Sequence, residues 1–138
     1  MGGFFMKDMI YLVLVIVLGV TVIKWYTSRS TAKQTCEVQK LTAKEAKEQL
    51  DADEEIVLVD VRTREEFASG HIPGAVSIPV ETIGAGNQLP FGVDVRLFVY
   101  CRSGNRSARA AKKLTEMGYT DVTDFGGIVN WPYEIVTE

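Results

Sequence analysis

Apolar and polar positions divide this chain into two unlike parts. Residues 9–23 (MIYLVLVIVLGVTVI) carry no charged side chain and no polar face, whereas from residue 41 onward short apolar runs alternate with mixed stretches. The first run is short for a membrane span, because a hydrocarbon core of about 30 Å takes about 20 helical residues. Its flanks lengthen it. Phe4 and Phe5 precede it, Trp25 and Tyr26 follow it, and the stem of Lys24 can snorkel toward headgroups. Aromatics at both ends match the interfacial belt of a spanning helix. Residues 4–26 would cover ~34 Å at about 1.5 Å per residue. The pattern therefore predicts an N-terminal membrane-anchor helix within residues 1–26.

Residues 27–40 are polar, rich in Ser, Thr and Lys, and read as a linker. Beyond them, Thr42-Ala43-Lys44-Glu45 has the spacing of a capping box and predicts a helix to about Leu50. Residues 56–61 (IVLVDV) and 97–100 (LFVY) are apolar, β-branched or aromatic runs of the kind found in buried parallel strands. Residues 64–69 predict one or two helical turns, 70–75 a turn, and 76–78 a short strand. The Gly-rich stretch 81–94 gives no clear pattern. Residues 106–117 have helical spacing, with Ala108, Ala111 and Leu114 on one face and Gly118 at the end. A last strand over 122–125 is followed by Gly126-Gly127 and a short helical stretch around Trp131. Strands alternating with helices predict an α/β domain with a parallel sheet over residues 41–138. In such sheets ligands bind beyond the carboxyl ends of the strands.

Charge and cysteine content narrow the function classes. The 138 residues carry a net charge of −3, mixed along the chain, which argues against a nucleic-acid partner. Lys24, Arg29 and Lys33 follow the apolar run, while Lys7 before it is offset by Asp8. Positive charge on the C-terminal side places the domain in the cytoplasm. The competing reading is a cleaved signal peptide with Ser30-Thr31-Ala32 as a weak cleavage site and an exported domain. Two cysteines, Cys36 and Cys101, provide neither a disulfide framework nor zinc-ligand spacing, so no metal or cofactor is expected.

Cys101 is the candidate nucleophile. It stands at the end of a predicted strand, before Arg102-Ser103-Gly104-Asn105-Arg106-Ser107 and a predicted helix. Strand, polar Gly-containing loop and helix together direct successive backbone N–H groups into an anion-binding concavity. The helix N-terminus and the cations Arg102 and Arg106 add positive potential, and all of these favour thiolate over thiol. Gly104 can take φ > 0, and Ser103, Asn105 and Ser107 can donate to a thiolate or a bound oxyanion. Sulfur transfer and phosphate chemistry are both compatible with such a loop.

From about Leu41 to Glu138 the chain resembles the rhodanese family. Val59-Asp60-Val61-Arg62 followed by Glu65-Glu66-Phe67 is similar to the family's first block, and Gly70-His71-Ile72-Pro73-Gly74-Ala75 to its turn. Cys101 to Arg106 resembles the six-residue active loop, and Gly126-Gly127 with Trp131 the C-terminal block. The resemblance implies a doubly wound parallel sheet and a sulfurtransferase. Related cysteine-dependent phosphatases have one residue more in the loop, with their arginine at Cys+6; here Arg106 is at Cys+5 and Ser107 at Cys+6. The implied chemistry is attack of the Cys101 thiolate on the sulfane sulfur of thiosulfate or a related donor, giving a Cys101 persulfide that a thiol or cyanide then discharges. Arg102 and Arg106 would pair with the sulfonate. A persulfide carrier serving a partner protein remains an alternative, with a phosphatase behind it. Asp60 and Arg62 are expected either to brace the loop or to form a buried ion pair. His71 and Trp131 are expected to be structural, and Cys36 inert.

Overall fold

The computed structural model describes residues 4–30, 36–84 and 86–138, with side chains of the first stretch described over 6–24. Two units are distinguished, Met1–Gln34 and Thr35–Glu138. The first contains one helix, α1 (Phe4–Ser30), which continues past Tyr26. Within it Met6–Lys24 has a mean hydropathy of 2.2 and nothing buried, so by length and composition it is able to cross a membrane. The side chains of Phe4, Phe5, Trp25 and Tyr26, and Thr31-Ala32 of the cleavage-site reading, lie outside the described residues.

The second unit runs β1 (Gln39–Lys40), α2 (Ala43–Ala52), β2 (Val57–Asp60), α3 (Arg64–Ser69), β3 (Val76–Ser77), β4 (Arg96–Cys101), α4 (Asn105–Glu116) and β5 (Asp121–Gly127). The strands form one five-stranded sheet in the order β1-β5-β4-β2-β3. Every pairing is parallel. Helices pack on both faces, as the α/β expectation requires.

Strand periodicity explains the two cores. Successive side chains point to opposite faces. Leu97, Val99 and Cys101 of β4 therefore join Val59 of β2 and Ala110, Ala111 and Leu114 of α4. Phe98 and Tyr100, one step out of phase, join Leu58, Phe125, Trp131 and Ala46 of α2. A sheet covered on both faces favours apolar side chains at successive positions of its central strands, hence the continuous runs in β2 and β4. Each Leu, Val or Phe so buried contributes about 1.5–3 kcal/mol relative to exposure.

The helix starts follow local chemistry. Thr42 accepts from Glu45 N while Glu45 accepts from Thr42 N, a complete capping box. Thr63 and Glu66 repeat the arrangement at α3. Four details differ from the sequence expectations. Gln39 and Lys40, assigned to the linker, form an edge strand on β5; two polar residues carry no periodicity that could announce it. Ala108 is exposed, and the buried face of α4 is Ser107, Ala110, Ala111 and Leu114, because the helix lies rotated by about one position. Gly126 and Gly127 belong to β5, since the chain continues to pair with Cys101 after a register shift. The helical stretch near Trp131 is a single 3-10 turn, Ile128–Asn130.

Candidate active site

Cys101 ends β4 on the face turned toward α4 and is 1% exposed. Three residues later Gly104 sits immediately before α4 with φ +106°, a left-handed conformation that L side chains rarely adopt. This turn brings the Gly104 N–H back to the sulfur, N to Sγ 3.0 Å. Ser107, in the first turn of α4, is buried with its Oγ 3.7 Å from Sγ. Its hydroxyl also reaches the carbonyl oxygens of Gly104 (3.0 Å) and Gly126 (3.2 Å).

Burial pushes the Cys101 thiol up, but hydrogen bonding outweighs burial. The backbone N–H groups of Ser107, Gly104 and Ser103, with the Ser107 hydroxyl, hold it below the ordinary thiol value. Anion stabilisation here comes from a loop and a helix start rather than from an adjacent base.

The loop rests on the end of β5. A Cβ on Gly127 would lie 2.1 Å from the Arg102 carbonyl oxygen and 2.6 Å from Ser103 Cα, so only glycine admits the loop backbone there. The Arg102 carbonyl accepts from Val129 N at 3.2 Å. Beneath this seat Asp124, 1% exposed, accepts from Gly126 N at 2.9 Å and is paired with Lys40 of β1.

The two arginines of the loop differ. Arg102 is exposed, as are Ser103 and Asn105. Arg106 instead makes a two-pronged pair with Glu66 of α3, Nη1 to Oε2 2.6 Å and Nη2 to Oε1 2.8 Å. The Arg106 hydrogen bond holds the Glu66 carboxyl down at about 2, against an ordinary 4.5, and Thr63 N donates to the same carboxylate at 3.0 Å. Glu66 in turn raises Arg106, and the charges of Cys101 and Glu81 also act on that guanidinium.

Asp60 and Arg62 lie at the end of β2 and form a buried pair. Arg62 Nε and Nη2 donate to Asp60 at 3.0 and 2.6 Å, and Nη2 donates to the Gly70 carbonyl at 2.7 Å. The pair thus ties β2 to the turn at Gly70, and its hydrogen bonds do not run to the Cys101 loop. His71 in that turn stacks on Phe67, centroids 3.7 Å apart, with Nδ1 2.9 Å from the Phe67 carbonyl oxygen. Trp131 packs against Phe125, and its Nε1 donates to the Glu134 carbonyl. Cys36 is half-buried before β1. A cavity of about 370 Å³ between Leu50, Leu58, Ile72 and Trp131 lies on the sheet face opposite Cys101.

Glu66, Asp124 and Gly127 surround the loop without having been singled out as site residues. Glu66 had a legible signal in the Thr63-x-x-Glu66 box, and Asp124 in being an acid within an apolar strand. Their proximity to the loop had none.

These features have parallels in known proteins. The rhodanese-like domain model matches residues 42–133. A sulfurtransferase of Allochromatium vinosum is 36% identical over 96 residues, 68% of this chain and 88% of that protein. An adenylyltransferase and sulfurtransferase (uba4) of Ogataea parapolymorpha is 35% identical over 89 residues, but these cover 64% of this chain and only 23% of that longer protein. The crystal structure of a rhodanese-like domain protein from Staphylococcus aureus superposes with a TM-score of 0.65 at 33% identity, over 73% of this chain and 99% of the other. The chain belongs to the rhodanese-like domain family.

Proposed function

We propose that this rhodanese-family sulfurtransferase moves sulfane sulfur through a persulfide on Cys101. The observation that carries the reading is the 3.0 Å hydrogen bond from Gly104 N to a buried sulfur whose pKa the loop lowers. A thiolate at the end of β4 attacks the outer sulfur of thiosulfate or a related donor. The new S–S bond forms as the donor's S–S bond breaks, and sulfite leaves with the bonding pair. An acceptor thiol or cyanide then takes the outer sulfur, and the Cys101 thiolate returns. The amides of Ser103, Gly104 and Ser107 would stabilise the anionic persulfide. Arg102 and Arg106 would meet the sulfonate, and Asn105 lines the loop mouth. Arg106 at Cys+5 leaves a loop of the short kind that suits one sulfur atom.

Cys101→Ser should abolish thiosulfate:cyanide turnover, and the wild-type chain should gain one sulfur on Cys101 after incubation with thiosulfate, read by mass spectrometry. Turnover retained in C101S would refute the assignment. The exposure of Arg102, Ser103 and Asn105 supports a second reading, a carrier that hands its persulfide to a partner protein, with slow turnover on small thiols.

The domain organisation proposed is an anchor over 1–26, a linker from residue 27, and a rhodanese-like domain whose sheet takes in Gln39–Lys40 ahead of residues 41–138. The apolar span Met6–Lys24 and the basic residues after it support a single-pass anchor with the domain on the cytoplasmic side. Protease digestion of the domain from outside intact spheroplasts would overturn that orientation.

A further inference from the structure

We propose that Glu66 is a positioning residue that sets the charge selectivity of the Cys101 loop, disfavouring doubly charged sulfur donors relative to singly charged or neutral ones. The donor preference rests on the sulfur-transfer reading above; the electrostatic claim beneath it does not.

Charges around the sulfur carry the argument. The loop contributes two cations. One of them, Arg106, is held end-on by a full carboxylate at 2.6 and 2.8 Å. Thr63 N fixes the same carboxylate from the start of α3. Glu66 therefore cannot swing aside without also giving up a helix cap. Glu81 also acts weakly on Arg106, though it is itself offset by Arg109 at 3.8 Å, so Glu66 carries the effect. The guanidinium that a short-loop reading assigns to the substrate anion is thus already neutralised by the protein, and Arg102 remains as the exposed cation. With a thiolate on Cys101 as well, the site offers little net positive charge to thiosulfate, a dianion. An alkyl persulfide or an organic thiosulfonate carries less charge on its reacting group and meets less repulsion.

Replacing Glu66 by Gln keeps the shape and an acceptor for Arg106 and Thr63 while removing one negative charge. A probe independent of sulfur transfer reads the result. Iodoacetate and iodoacetamide alkylate a thiolate by the same step, in which a C–S bond forms and iodide leaves, but only the first is an anion. The ratio of their rates at Cys101, followed by mass spectrometry of the Cys101 peptide from the 138-residue chain in detergent, reports local potential and cancels changes in thiolate fraction. Glu66→Gln should raise the iodoacetate-to-iodoacetamide ratio by roughly threefold or more, the size expected for one nearby charge under water-like screening. The effect should shrink as salt is added. The same substitution in an Arg106→Gln background, where no pair exists to break, should raise the ratio as well. A structural role alone would change both rates together and leave the ratio flat. A flat or lowered ratio in both backgrounds overturns the proposal.

The donor arm then compares KM values. Glu66→Gln should lower KM for thiosulfate several-fold while leaving KM for a neutral thiosulfonate ester nearly unchanged. Equal shifts for both donors would remove the selectivity claim. Absence of turnover by the wild-type chain with every donor would strike the sulfur-transfer reading instead, and the alkylation ratio would still decide the electrostatic one.

Discussion

The carboxyl ends of β2 and β4 lie side by side in the sheet, in register from Val57 with Leu97 to Asp60 with Tyr100, yet they solve opposite problems. At β2 the strand ends in a carboxylate that is 0% exposed and saturated by Arg62. At β4 it ends in a sulfur served by backbone N–H groups and one hydroxyl. Burial works against the charge on Arg62, but the Asp60 hydrogen bonds and attraction keep it firmly protonated. The first end is closed on itself and anchors a turn. The second holds its sulfur with backbone N–H groups of a loop whose Arg102, Ser103 and Asn105 are exposed. Internal pairing suits a brace; preorganised amides suit a reacting atom.

The sharpest way to break this contrast is Asp60→Ala. It leaves the Arg62 guanidinium buried and unpaired, and the loss of folding stability should be about 3–5 kcal/mol in urea denaturation. The pH midpoint of Cys101 alkylation in the remaining folded fraction should hold. A loss under about 1 kcal/mol, the size of a surface pair, would show that the β2 end is not a brace.

Gly127→Ala attacks the other end through its seat. The added Cβ falls 2.1 Å from the Arg102 carbonyl oxygen, so the loop must lift. Sulfurtransferase activity should drop by roughly 100-fold, the usual consequence of misplacing a reacting group by about 1 Å. Wild-type turnover in this variant would mean the loop tolerates displacement.

Ser107→Ala separates hydroxyl from amide. The backbone N–H of Ser107 remains while the side-chain donor goes, so the Cys101 pKa should rise but stay below that of an ordinary thiol. Thiolate reactivity at neutral pH should fall by no more than about tenfold, one pKa unit's worth. A larger fall would shift the credit from the backbone to the side chain.

The mildest test concerns the link between α3 and the loop. Glu66 has a folded value of about 2 against an ordinary 4.5, so its contribution is full above that upper value and is lost as pH falls through the lower one. Stability of wild type relative to Glu66→Gln should therefore converge between about pH 4.5 and 2. Thr63→Ala, which removes the reciprocal cap, should cost ~1 kcal/mol at neutral pH. A stability difference between wild type and Glu66→Gln that does not change over that acid range would contradict the pairing.

Much of this molecule was legible because its determinants are local or periodic. The apolar run of α1, the continuous strands β2 and β4, the Thr42 box and the helix after Gly104 depend on neighbours within a few positions. The Cys101 loop is likewise one contiguous segment, so its residues could be named in order, and the fold class followed from strands alternating with helices. Tertiary structure decided the rest. Arg106 pairs with Glu66 across 40 positions of sequence, and Lys40 with Asp124 across 84, separations at which no spacing rule operates. That β1 pairs with β5, that Arg62 reaches both Asp60 and Gly70, and that Gly127 supports the loop all follow from which strand ends the sheet brings together. Local sequence determined what each segment could be, a thiolate cradle included. Only packing decided that one of its two arginines meets solvent already neutralised, because the charge that neutralises it comes from another helix.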